Sequence, residues 1–408
     1  MVAKFSGRSI DKFFFYFVVF DIMFFPYLRA LSVSSSMVMV FIWLLLRGKI
    51  LVNDRDFKLS VVAVFLCLIS FSFSFIKYQD GFQLRDGGVG NTINMAANTV
   101  VILYMFLFYV FFKSLIVKYS FKIDKVLIAY LFFVFLLAAL FYLSPVEYFR
   151  VRSIWTMYDN VINVQDFSNS MYRFTSTLSE PNNLAAICVA ILAYLLLFSR
   201  TVYSVSISLT VLVLFVVFAT MSSSGILLFT VTVIAFVIND FLFSKVSKRI
   251  AIFKIIMTMF FLLIVITMYF TFKETNVGQI AVGRVSENSM DSRYLIWMNA
   301  IDFTKIFSSI LWGDGGLVII DGKEFSPHNG HLHLIYSYGL VFYIIFMFVF
   351  FYPWLSRKSF NSFFFVPLFL CFTINVGIYE FRFAGLMALL IAAFNAENIK
   401  YQKHRVRA

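Results

Sequence analysis

Apolar runs recur along the whole chain, at residues 13–29, 32–46, 59–76, 96–117, 125–143, 183–199, 203–220, 224–243, 251–272, 332–352, 360–378 and 383–395. Their lengths cluster near the roughly 20 residues that carry a helix across a bilayer. Lipid offers backbone N–H and C=O groups no partner, so only helices and closed barrels can span it. A barrel would alternate apolar and polar residues in strands of about 10, whereas these runs are continuously apolar. With 61% hydrophobic and only 13% charged residues, against about 25% charged in soluble domains, the runs cannot all be buried in a water-soluble core. The expected fold is therefore an all-α polytopic integral membrane protein, one multi-pass domain over 1–408 with twelve transmembrane helices.

The net charge of +13 would suit a nucleic-acid partner if it were gathered on one surface. It follows the membrane instead. With both termini cytoplasmic, the inside segments carry nearly two-thirds of the Lys and Arg, and the outside ones two-thirds of the acids. That is the positive-inside distribution, so the excess reports orientation and no nucleic acid is expected. Lys4, Arg8 and Lys12 precede FFFYFVVF without a small-residue cleavage site, which reads as an uncleaved first span. Cys67, Cys188 and Cys371 lie inside separate apolar runs and suggest neither disulfide nor metal site.

Three longer polar loops fall outside: 77–95, 144–182 and 273–331. Residues 291–301 of the last read as a capped amphipathic helix, with Asp291 or Ser289 as N-cap and Tyr294, Trp297, Met298 and Ile301 on one face. At the end of 144–182, Arg173 precedes Ser179-Glu180-Pro181-Asn182-Asn183. Pro181 suits the first turn of the next helix, with Ser179 or Glu180 as its cap, while the planar fork of Arg173 suits a phosphate. In 273–331 stand Arg284, Arg293, Trp297, Gly313-Asp314-Gly315 and His328-Asn329. Next to a helix start, His328 is held neutral and can accept a proton from a sugar hydroxyl; the alternative is a capping or interface histidine. His331 and His333 point to different helix faces, so a metal-free site is favoured over a metal. The charges expected inside the membrane are few: Asp21, Lys113, Asp240 and Lys254, of which Asp21 is the best candidate for burial. Transporters gather such groups at the midplane, so transport is disfavoured.

The order of these motifs resembles that of the O-antigen polymerase (Wzy) and O-antigen ligase superfamily of bacterial envelope polysaccharide assembly. The matching elements are Arg173 through Pro181-Asn182, Ser222-Ser223-Ser224-Gly225, Arg293 with Trp297, Gly313-Asp314-Gly315, His328-Asn329, and Gly339 in the following helix. They cover 170–345. Ser223-Ser224 stands where many relatives carry Ser-Arg, and the spacing of an arginine eleven residues before a glycine is absent after Arg173, Arg284 and Arg293. The resemblance implies a glycosyltransferase with GT-C-like architecture in the bacterial inner membrane, active at the periplasmic face. Its donor would be an undecaprenyl-pyrophosphate-linked oligosaccharide, with no cofactor and no metal. A flippase and a chain-length regulator of the same pathway would be its partners. It further implies Arg173, Arg284 and Arg293 as pyrophosphate holders, His328 as acid/base with Glu180 as the alternative base, and Asn182 and Asn329 orienting sugar or phosphate oxygens. The Phe-rich chain fits the A+T-rich gene clusters of polymerases, which places polymerase ahead of ligase.

Overall fold

A continuous apolar run in a chain of good helix formers closes its own backbone hydrogen bonds as a helix, and the computed structural model of the chain is helical throughout its main elements. It describes residues 7–24, 34–51, 55–77, 82–83, 89–90, 92–152, 174–178, 180–198, 203–243, 297–298, 310–313, 318–320, 323–325, 329–355, 365–374 and 380–407. Twelve helices are found among these: α1 (Gly7–Phe24), α2 (Ser35–Leu51), α3 (Arg55–Lys77), α4 (Thr92–Tyr119), α5 (Asp124–Leu143), α6 (Pro145–Arg152), α7 (Pro181–Phe198), α8 (Tyr203–Ala219), α9 (Ser223–Phe243), α10 (Gly330–Leu355), α11 (Phe365–Ile374) and α12 (Phe381–Arg407). Each expected span coincides with one of them except 251–272, which lies outside the described residues. Three are long and apolar enough to cross a membrane, over Asn98–Tyr119, Asp124–Leu143 and Gly330–Phe351. The side chains of Asp240 and Lys254 lie outside the described residues.

Two findings depart from the expected purely helical bundle with open loops. Short antiparallel pairs join β1 (Phe82–Gln83) to β2 (Val89–Gly90) and β3 (Val318–Ile320) to β4 (Lys323–Phe325). The loop 144–182 also opens with α6, which the apolar-run reading passes over because its sequence, PVEYFRVR, is short and carries Glu147, Arg150 and Arg152. Pro145 takes the first helical position, where its missing N–H costs nothing, and Tyr148 is its fully buried anchor.

Burial sorts the helices into centre and rim. Every residue from Phe381 to Ala396 of α12 and from Asn183 to Leu195 of α7 is buried. A helix buried on all sides belongs to the middle of a bundle, and α12 packs on α4, α7 and α1 while α7 packs on α8, α9, α11 and α12. At the rim, α2 and α3 keep apolar stripes exposed, with Leu45 70% and Phe65 63% accessible. Contiguous exposed apolar faces of this kind are costly in water and favourable in lipid. Other phenylalanines pack the interior: Phe106 of α4 meets Phe342, Phe346 and Phe350 of α10, with ring centroids 4.9–6.1 Å apart.

Buried charges are neutralised at helix ends. Asp21 is buried, as the sequence suggests, and accepts from the Ser36 N–H at 3.0 Å and the Ser35 hydroxyl at 2.5 Å, so it caps α2 from α1. Lys113 of α4 pairs with Asp56 of α3, which also accepts from the Tyr109 hydroxyl at 3.1 Å. Tyr109 in turn accepts from Asn395 Nδ2 of α12 at 2.9 Å, tying three helices together.

α10 is broken at Gly339, whose φ of 89° and ψ of 161° lie outside the helical region. The break is large. Residues 331 and 343 of a straight helix stand about 18 Å apart, yet the Tyr343 hydroxyl reaches His331 Nδ1 at 3.1 Å. The backbone of 311–313 enters the gap. A Cβ on Gly339 would lie 2.3 Å from the Leu311 carbonyl oxygen, and one on Gly313 (φ 85°) would lie 2.6 Å from that of Ser337. The Ser70 hydroxyl of α3 donates to the Ser337 carbonyl at 2.7 Å, replacing a partner that the interrupted helix no longer supplies.

Candidate functional site

Three helices begin at one end of the bundle, and their caps are linked. α7 starts at Pro181, with Glu180 as its cap residue through the bond from the Leu184 N–H to the Glu180 carbonyl at 3.1 Å. α9 is capped by Ser222, whose Oγ accepts the Gly225 N–H at 2.9 Å, the side-chain N-cap geometry favoured by serine. α12 is capped by Glu380, whose carbonyl accepts the Ala384 N–H at 2.9 Å. Between them, the Ser222 hydroxyl donates to Asn182 Oδ1 at 2.8 Å and Asn183 Nδ2 donates to Glu380 Oε2 at 2.6 Å. Gly225 lets α9 approach α7 closely, since a Cβ there would sit 2.5 Å from that of Ala185. Three positive helix ends, two amides and two carboxylates thus share one polar patch. Such an end favours anionic or hydroxyl-rich ligands.

Beside the patch, residues 174–178 form irregular backbone that is buried at every position. The Phe174 N–H donates to the Ala219 carbonyl at the end of α8 at 3.3 Å. The Thr175 and Ser176 N–H groups both donate to the Tyr148 hydroxyl of α6 at 3.3 Å. Thr177 Oγ1 meets the Tyr130 hydroxyl of α5 at 3.1 Å, and the Thr177 carbonyl accepts from Arg382 Nη1 of α12 at 2.9 Å. Ser176 adopts φ 52°, a left-handed conformation uncommon outside glycine.

The sequence-selected residues fall into two groups. Arg173, Arg284, Arg293 and His328 lie outside the described residues. Glu180 is exposed at the α7 cap, and Asn182 is half-buried with its Oδ1 held by Ser222. Asn329 is buried and caps α10, its Oδ1 accepting from the His331 and Leu332 N–H groups at 3.0 and 3.1 Å. A ligand would therefore meet its Nδ2 rather than its carbonyl. His331 is clasped by the Phe369 carbonyl at Nε2 and by Tyr343 at Nδ1, at 3.1 Å each, and stacks on the Phe369 ring. Among the described residues, no three His, Cys, Asp or Glu side chains are grouped to hold a metal. In the amphipathic segment 291–301 only Trp297 and Met298 are described; they are helical, with Met298 exposed and Trp297 half-buried.

Sequence reasoning missed Tyr148, Tyr130, Asn183, Glu380 and Arg382. The charges of Glu380 and Arg382 at the edge of the last apolar run were the one available signal. Arg382 turns out to be fully buried, at 1% exposure, where an arginine is rare unless hydrogen-bonded. No protein-family model matches the chain, and no protein of described function is similar enough in sequence to stand as its relative.

Proposed function

We propose that this chain is an O-antigen polymerase. In this reading it has twelve spans, GT-C-like architecture, cytoplasmic termini and a working face on the periplasmic side of the bacterial inner membrane. One observation supports this above the others: motif elements distant in sequence are paired in space. Pro181-Asn182 meets the serine-rich start of α9 through the Asn182–Ser222 bond at 2.8 Å, and Gly313 meets Gly339 backbone to backbone. Those are the elements on which the family resemblance rests.

The chemistry follows from the donor. An acceptor sugar hydroxyl attacks the anomeric carbon of the lipid-linked glycan. The bond from that carbon to the phosphate oxygen breaks, and undecaprenyl pyrophosphate leaves with the bonding pair. Its charge is the main electrostatic demand, and arginine forks meet it without a metal; Arg173, Arg284 and Arg293 are assigned to it. The hydroxyl proton passes to neutral His328, with Glu180 as the alternative base. Asn182 and Asn329 orient sugar or phosphate oxygens. The lipopolysaccharide ladder of a deletion strain tests the assignment. Loss of polymerase leaves core bearing a single repeat unit. Bare core with accumulated lipid-linked polymer would instead identify the O-antigen ligase, which shares the donor.

A transporter or flippase is the competing class, and the break in α10 is the observation that favours it, since broken helices build transporter sites. Among the described residues, the groups that meet this break are the backbone of 311–313, Ser70, Tyr338, whose hydroxyl pairs with Thr99, and Tyr343, which bonds His331 across it. They make a packing joint rather than an ion site. Movement of lipid-linked oligosaccharide across proteoliposomes without any transfer product would reinstate the transporter.

A further inference from the structure

We propose that Tyr148 and Arg382 are positioning residues that clamp segment 174–178, and so hold in place the α7 cap that carries Glu180 and Asn182 for glycosyl transfer. The role rests on the polymerase reading.

The clamp is unusual in how many elements it recruits. Four of its five residues are bonded to α5, α6, α8 and α12, and the partners come from different parts of the chain. The rings of Phe141 and Tyr148 close on Phe174 at 5.9 and 5.5 Å. Thr177, three residues further on, touches Tyr130, eleven residues earlier on α5 than Phe141. That distance is about 16 Å along the helix, so the segment runs down the side of α5 into the bundle. Irregular backbone is tolerated at such depth only where protein partners satisfy it. Tyr148 supplies one oxygen to two N–H groups, and Arg382 supplies the donor for the Thr177 carbonyl.

Stability alone does not account for this arrangement. Among the described residues, Thr175 Oγ1 and Ser176 Oγ are buried without a hydrogen-bond partner, and Ser176 carries a left-handed φ. Both features cost free energy. Local strain held in place by surrounding structure is characteristic of functional segments. Here the fixed segment joins Arg173, the expected phosphate holder, to the α7 cap that carries Glu180 and Asn182. Fixing the cap before substrate arrives is what transfer geometry requires, because displacement by about 1 Å can cost about a hundredfold in rate.

The test combines hydrogen–deuterium exchange with turnover on lipid-pyrophosphate-linked oligosaccharide, using the full chain in lipid nanodiscs. Wild type should exchange slowly through 174–178. Tyr148→Phe and Arg382→Gln should speed exchange there while peptides from α4 keep wild-type rates. Turnover should fall about tenfold or more with KM changed less than about threefold. Arg382→Lys, which can still donate to Thr177, should recover part of both. Fast exchange of 174–178 in wild type overturns the clamp. Faster exchange in the variants with turnover intact overturns the positioning role. Slow exchange in a wild type that transfers nothing overturns the polymerase reading instead, and the positioning role with it.

Discussion

Asp11 illustrates how a single carboxylate can organise a helix end. It accepts from Trp43 Nε1 at 2.9 Å and Arg47 Nε at 3.2 Å on α2, and from the Tyr119 hydroxyl at 2.7 Å on α4. Burial pushes its carboxyl up, but the bonds from Tyr119, Trp43 and Arg47 outweigh it and hold the group below the usual carboxylate range. Its stabilising effect is therefore fully present above the unfolded value of about 3.9 and is lost as pH falls through the lower folded value. Asp11→Asn should lower the melting temperature at pH 7, and the gap to wild type should close on acidification below about pH 4; an equal gap at pH 3 and 7 would contradict this. Thr175→Val removes a buried hydroxyl that has no partner among the described residues, at nearly constant shape, so its melting temperature should match or exceed that of wild type. A marked fall would mean the hydroxyl has a partner. Within the expected site, Arg293→Ala and His328→Ala should abolish long polysaccharide in correctly inserted protein. Arg293→Lys should lose much of the activity, because an ammonium cannot make the bidentate contact; wild-type product from it would assign a simple charge to that position.

At the scale of elements, the sequence made helices legible because continuous apolar runs leave the backbone no other solution in lipid. It also made the capped start of α7 legible, since Pro181 and Glu180 act through neighbours only a few residues away. What it hid were features set by distant partners. Segment FTSTL reads as an ordinary loop, and nothing in those five letters announces that Tyr148, Tyr130 and Arg382 will bury it. Gly339 inside an apolar run is equally silent until Gly313 is brought against it. That joint yields a prediction. Gly339→Ala must hold a left-handed conformation and displace the Leu311 carbonyl at 2.3 Å, with strain of about 1–3 kcal/mol. It should reduce the yield and melting temperature of the purified protein, while Ala substitution at Gly330, in the first turn of α10, should do so less. Equal melting temperatures for Gly339→Ala and wild type would mean that the break is not obligatory.

Across the whole molecule, α7 and α12 form the buried centre and α2 and α3 present apolar flanks. The polar groups that could meet a sugar or a phosphate gather where α7, α9 and α12 begin. In the proposed topology, with the basic segments cytoplasmic, that end faces the periplasm. A membrane-impermeant thiol reagent should label Glu180→Cys in intact spheroplasts and should not label Arg8→Cys until the membrane is opened. The central claim is the transfer of glycan from a lipid pyrophosphate, and reconstitution tests it most directly. Purified full-length chain in liposomes with undecaprenyl-pyrophosphate-linked repeat units and a metal chelator should build a ladder of longer lipid-linked glycans, and Arg293→Ala should leave the donor unchanged. Correctly folded wild-type protein that leaves the donor untouched, with or without divalent cations, would contradict the account.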